Sequence, residues 1–258
     1  LPHIEKAILA GAMPATVVVM PDFSLTGNGK TPAGYPTDGR AGSWYINSNL
    51  GRFEDHFFRE IVPFVRTSFR ISASPRATAI IGSSMGGFGA LYYSITRPGF
   101  AHHVAAVYPA ADLRYGVGGS RLADYDPALY APIERDDPAR VMMDGELAGT
   151  LGVGEEFFYY PVFDSDRSPG PAWKDDRPVW ERLRDVNPAD ILASRRIDLR
   201  GIEYYIFAGE RDQFNFDAHL PLVLPLLEKA GARVKPEQTI MPGMRHGWWQ
   251  KEDNEHKQ

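Results

Sequence analysis

A strand that runs without a spacer into a glycine-serine turn, and from there into a helix, constrains this chain more than any other feature. Residues 77–81 (ATAII) form an apolar run of the kind buried in a parallel sheet. Gly82-Ser83-Ser84-Met85-Gly86-Gly87 follows at once, and a helical stretch continues to Arg97, where Pro98-Gly99 stops it. The spacing is G-x-S-x-G. A turn this sharp strains the serine backbone, and glycines two residues before and after it remove Cβ atoms that would clash as the chain doubles back. The Ser84 hydroxyl then projects from the carboxyl edge of the sheet. The free N–H groups opening the helix, that of Met85 first, face the same point. The pattern marks Ser84 as a candidate nucleophile and Met85 as a candidate oxyanion donor.

Other uses of a Gly-rich turn can be tested on the residues. Gly82 to Gly87 has the glycine spacing of a phosphate loop, but Phe88-Gly89 stand where Lys and Ser/Thr would be needed. A dinucleotide fingerprint from Gly87 would need Gly or Ala at position 92, which is Tyr92. The remaining alternative is a turn that only packs a helix closely on a strand.

A serine hydroxyl needs a base, and an elbow of this type takes its partners in the order Ser, then Asp or Glu, then His. His246 lies in a Gly-flanked loop after the last expected strand, at the edge where Ser84 projects. His102 and His103 precede a strand, His219 falls on an expected helix and His256 in a charged tail. For the acid, the expected strand 201–208 ends at Gly209-Glu210-Arg211-Asp212, which favours Asp212 over Glu210 and Asp217. A structural histidine and a surface carboxylate paired with Arg211 are the alternatives.

The rest of the chain alternates short apolar runs with amphipathic stretches, as an α/β protein with a mostly parallel sheet would. Strands are expected at 16–20 (TVVVM), 77–81, 104–108, 201–208 and 236–241, and helices at 2–11, 49–70, from the elbow to about 97, and at 216–230. Pro63 should bend the second helix or shift its end. Residues 111–196, polar and rich in Pro and Gly with Phe157-Phe158-Tyr159-Tyr160 inside, read as an insertion or cap on a single domain spanning 1–258. With 258 residues and 43% hydrophobic side chains a sizeable core is possible. A net charge of −5 argues against nucleic acid as a partner. The absence of cysteine excludes a disulfide scaffold and a thiolate site, and the histidines lack metal-ligand spacing, so neither metal nor cofactor is expected. No apolar run is long enough to span a bilayer.

The elbow Gly82-Ser83-Ser84-Met85-Gly86-Gly87-Phe88-Gly89-Ala90-Leu91 resembles the G-x-S-M-G-G-x-G-A-L segment of the esterase D family. That family includes S-formylglutathione hydrolases, feruloyl and acetyl xylan esterases, enterochelin esterases and mycolyltransferases. The Gly209-x-x-Asp212 turn and the loop at His246 are similar to its acid and base positions, and the likeness covers about 1–110 and 197–250. The resemblance implies an α/β-hydrolase fold with helices on both faces of the sheet. It implies a Ser84–Asp212–His246 triad, and ester or thioester hydrolysis through an acyl-enzyme. Family members carry strands and an oxyanion loop upstream of where Leu1 falls. It is therefore expected that N-terminal strands are missing, one of them between 16–20 and 77–81, and that the second oxyanion donor precedes Leu1.

A small-molecule or carbohydrate-linked ester is the expected substrate. Tyr45, beside Trp44, and Trp248, beside Trp249, could line the site and suit a sugar or an aromatic acyl group; the alternative is that they pack. Acyl transfer to a sugar would use the same three residues, and a non-catalytic binding protein on the same scaffold is the reading from another class.

Overall fold

In a computed structural model the chain is described over residues 2–23, 43–48, 51–114, 184–212, 216–235, 239–244 and 246. Its centre is a parallel sheet of β3 (Ala79–Ser83), β4 (His103–Val107), β5 (Glu203–Gly209), β6 (Arg233–Lys235) and β7 (Ile240–Met241). The order is β3-β4-β5-β6, with β7 pairing the far end of β5. Register sets Ile80, Val104 and Tyr204 in one row and Gly82, Ala106 and Ile206 in the next. Val104, Ala106, Tyr204 and Ile206 are fully buried, so these rows form the core face. The alternate row, Ile81, Ala105 and Tyr205, lies on the other face, where Ile81 is 76% exposed.

The core face is covered by α4 (Met85–Thr96), α5 (Pro188–Ser194) and α6 (Phe216–Lys229). α4 touches β3 and β4, α6 touches β5 and β6, and α5 bridges the two helices. Every residue of α4 from Gly87 to Ile95 is buried. A helix apolar all round must be covered all round, and the outer cover comes from residues 53–68. Phe57 stacks on Tyr93 with ring centres 5.0 Å apart, and Phe58 meets the same ring edge-on at 4.9 Å. Burying one side chain such as Leu91 or Ile95 contributes roughly 2 kcal/mol.

The 53–68 run starts later than expected, after a small antiparallel ribbon of β1 (Asn47–Ser48) and β2 (Gly51–Arg52). It consists of α2 (Phe53–Asp55), a π turn (His56–Ile61) and α3 (Val62–Ser68). Pro63 sits in the first turn of α3, directly after the π turn. Proline cannot donate to the carbonyl one turn back and crowds it, and a widened turn relieves both problems. The helix at the amino end is α1 (Pro2–Leu9), closed by Gly11 at φ 69°.

Two expectations are corrected. Residues 16–20 join no sheet among the described residues, and Val17, Val18, Val19 and Met20 are exposed. Strand propensity needs a ladder to join, and β3 pairs with β4 alone among the described residues. The single strand expected at 236–241 is instead β6 and β7, and the pairing starts at Arg233. Of the expected insertion or cap at 111–196, residues 115–183 lie outside the described residues, and both of its flanks pack into the core. Ala111, Asp112 and Leu113 are buried, and α5 buries Ile191 and Leu192. No described helix is long and apolar enough to cross a membrane.

One buried carboxylate joins α2 to α4. Glu54 accepts from the Tyr92 hydroxyl at 3.0 Å through one oxygen and from Arg97 at 2.9 Å through the other. Burial first, then the Glu54 carboxylate, pushes the Tyr92 phenol well up. Arg97 is half-exposed, so its share is screened by solvent. Glu54→Ala should lose about 2 kcal/mol in urea unfolding, and Glu54→Gln, which keeps an acceptor for Tyr92, about half of that. Equal losses would mean that the Tyr92 bond contributes nothing.

Candidate functional site

β3 ends at Ser83 and α4 begins at Met85, so Ser84 alone makes the turn. It does so at φ 57°, ψ −121°, a region that L residues rarely occupy. The neighbours hold it there. The Ser84 N–H donates to Val107 O on β4 at 2.8 Å, and its carbonyl accepts from Phe88 N–H at 3.0 Å. A Cβ on Gly82 would lie 2.0 Å from the Gly86 carbonyl oxygen. Gly86 is less constrained, since a Cβ there would meet only the Tyr45 hydroxyl, at 3.4 Å. The Ser84 side chain makes no capping bond to α4; its Oγ lies 2.8 Å from His246 Nε2.

Two loops at the same sheet edge carry Asp212 and His246, and main-chain bonds join them. Glu210 N–H donates to Met241 O at 2.9 Å, and Arg211 N–H to Met244 O at 2.8 Å. The Glu210 carboxylate accepts from Gly243 N–H at 2.9 Å. Asp212 Oδ2 lies 2.8 Å from His246 Nδ1. Both side chains are almost sealed, at 0% and 8% exposure. A carboxylate is acceptor-only, so Nδ1 carries the proton and the Nε2 lone pair points at Ser84. The His246 ring also contacts Tyr108 and Phe216, each with ring centres 5.2 Å away. Tyr108, at the end of β4, is held at φ 44° and is fully buried.

Behind these rings is a second buried imidazole. His219 Nδ1 accepts from Asp112 N–H at 3.1 Å. Burial pushes His219 down to about 4, against the opposing pull of Asp112 and Asp212. Asp217, in the first turn of α6, is raised by burial and then by Asp212.

Ser84, Asp212 and His246 are thus brought together, from positions up to 162 residues apart. Met85 opens α4 immediately after Ser84. Tyr45 rests on α4, its ring where a Cβ on Gly89 would be and its main-chain carbonyl accepting from Tyr93 Oη at 2.6 Å. Trp44 is buried edge-on against Phe88 and lines no open surface. Trp248, Trp249 and His256 lie outside the described residues. Glu210, weighed as an acid, binds the main chain of the other loop instead. The residues missed by sequence reading are Tyr108 and Phe216. Tyr108 closes an expected strand at the correct edge, and that position was a usable signal. A neutral imidazole in hydrogen-bond contact with a hydroxyl can accept its proton, and a buried carboxylate on the opposite nitrogen stabilises the cation formed.

Residues 4–215 match the Esterase family model, which takes in Ser84 and Asp212 and ends before His246. Among solved structures, a ferulic acid esterase aligns with TM-score 0.56 at 14% identity, over 96% of this chain and 70% of its own. An S-formylglutathione hydrolase from Agrobacterium tumefaciens aligns with TM-score 0.52 at 16% identity, over 92% of this chain and 69% of its own. At such identities the likeness shows the fold, which is that of the α/β-hydrolases. No curated protein matches by sequence.

The unequal surroundings of the two glycines give an unequal pair of mutants. Gly82→Ala should cost at least about 3 kcal/mol in thermal or urea unfolding, because a backbone carbonyl must move. Gly86→Ala should stay within about 1 kcal/mol of wild type, helped by helix propensity. Equal costs would contradict the geometry. His219 gives a pH signature. Its folded pKa is depressed, so the stability it confers is complete above the unfolded value near 6.5. That stability is lost as pH falls toward about 4. Asp217 acts in the opposite sense. In His219→Asn the fall in Tm over this interval should be smaller than in wild type; parallel curves would contradict the assignment.

Proposed function

Since the chain belongs to the Esterase family, we propose that it hydrolyses carboxylic esters by a serine mechanism, with Ser84 as nucleophile, His246 as general base and acid, and Asp212 as the orienting carboxylate. The observation that carries this reading is the unbroken relay from Ser84 Oγ to His246 Nε2 and from His246 Nδ1 to Asp212, with 2.8 Å at each contact.

Ser84 Oγ attacks the ester carbonyl carbon as His246 Nε2 takes its proton, giving a tetrahedral oxyanion. Met85 N–H, at the positive end of α4, is the proposed donor to that oxyanion. The Ser84 N–H is already engaged by Val107 O. As the C–O bond breaks, the imidazolium gives its proton to the leaving alcohol, and Ser84 remains acylated. Water then attacks the acyl-enzyme, with His246 taking the water proton and returning it to Ser84. Asp212 stays ionised and pairs with the imidazolium in both halves.

Stopped-flow mixing with p-nitrophenyl acetate tests the reading. Wild type should give a burst of one p-nitrophenolate per chain, and Ser84→Ala none, with kcat down by about 10⁴-fold or more. An undiminished burst in Ser84→Ala would remove Ser84 from the mechanism. The two aligned structures act, by their names, on a ferulic ester and on a glutathione thioester. Feruloyl, acetyl-xylan and S-formylglutathione substrates are therefore the panel on which kcat/KM should separate.

A further inference from the structure

Phe216 touches two imidazoles at once. Its ring centre is 5.2 Å from that of His246 and 5.2 Å from that of His219. Phe216 and His219 are three residues apart on α6, so both point from one side of that helix. The other ring against His246 is Tyr108, four residues before Asp112 in the segment that leaves β4. The Asp112 N–H donates to His219. One hydrogen bond thus joins the two segments that supply these two rings against His246.

The segment is anchored well enough to transmit that bond. Tyr108 N–H donates to Phe207 O at 2.7 Å. The Asp112 carboxylate accepts from Asn187 at 2.8 Å, and Asn187 in turn accepts from Leu113 N–H at 2.9 Å. Arg114 pairs with Asp190 on α5 at 2.6 Å. Asp112 and Asn187 are fully buried and His219 is 3% exposed. The bond to Asp112 requires a lone pair on His219 Nδ1, and burial keeps that imidazole neutral through the ordinary pH range.

We propose that His219 is a positioning residue, which through Asp112 on one side and Phe216 on the other sets the slot that holds the His246 ring in line with Ser84. The inference rests on the serine mechanism proposed above. A ring that tilts in a loosened slot keeps its chemistry but loses its alignment, and misplacement of that kind reduces turnover more than binding.

The test compares His219→Leu, which removes the acceptor, with His219→Asn, whose side-chain oxygen can stand near Nδ1. Each is assayed for kcat and KM on p-nitrophenyl acetate, for the proton resonance of the His246–Asp212 hydrogen bond, and for Tm. His219→Leu should lower kcat at least about tenfold with KM within about twofold, and should shift or broaden that resonance. His219→Asn should restore most of kcat. Wild-type kcat in His219→Leu, or equal loss in both variants with the resonance unmoved, would overturn the inference. Should His219→Leu fail to fold, Phe216→Leu must show the same kcat loss and resonance shift, and wild-type values there would equally overturn it. A wild-type protein without a burst would instead count against the serine mechanism itself.

Discussion

A hydrogen atom in place of a methyl group at position 82 is the condition on which the arrangement depends. The Gly86 carbonyl oxygen lies 2.0 Å from where a Cβ on Gly82 would stand, so β3 and α4 can meet across Ser84 only if the residue two positions before it has no side chain. Ser84 is left at positive φ, in a conformation that its own energetics disfavour by about 1–3 kcal/mol. The core offsets that cost: α4 is buried from Gly87 to Ile95 and cannot shift to relax the turn. A rigid helix and a tight turn together give the serine hydroxyl one direction.

The other side chains reach that hydroxyl by a different route. Asp212 and His246 sit on loops, and loops are ordinarily the least constrained parts of a fold. Here the two loops bind each other through main-chain groups and the Glu210 carboxylate before their functional side chains meet. β5 supports both, since Gly209 ends it on one side and β7 pairs with it on the other. Aromatic rings from β4 and α6 complete the surroundings of His246. The site therefore draws on the ends of β3, β4 and β5 and the start of α6, in keeping with the tendency of α/β sheets to assemble sites at their carboxyl edge.

Much of this was legible in the residues. The elbow announces itself because its geometry demands small residues at fixed offsets, and the strands at 103–107 and 203–209 because apolar runs end in turn residues. The partners of Ser84 were legible through their place at strand ends. What was not legible shares a cause. The run at 16–20 has every intrinsic mark of a strand, but strand identity depends on a partner that composition cannot reveal. For Trp44 both readings stood open, because aromatic residues suit binding and packing alike, and its burial against Phe88 decides for packing. The flank 184–194 of the expected insertion is polar along the sequence, and Asn187 and Asp190 direct that polarity to Asp112 and Arg114 inside the fold.

The bond from the Ser84 amide to Val107 O has a stereochemical consequence. That donor is taken by the neighbouring strand, and among the described residues the amides that follow it in the chain open α4, Met85 first. On the serine mechanism proposed above, an incoming carbonyl would turn its oxygen toward the helix. The main chain would thereby bias that approach before any pocket residue has touched the substrate.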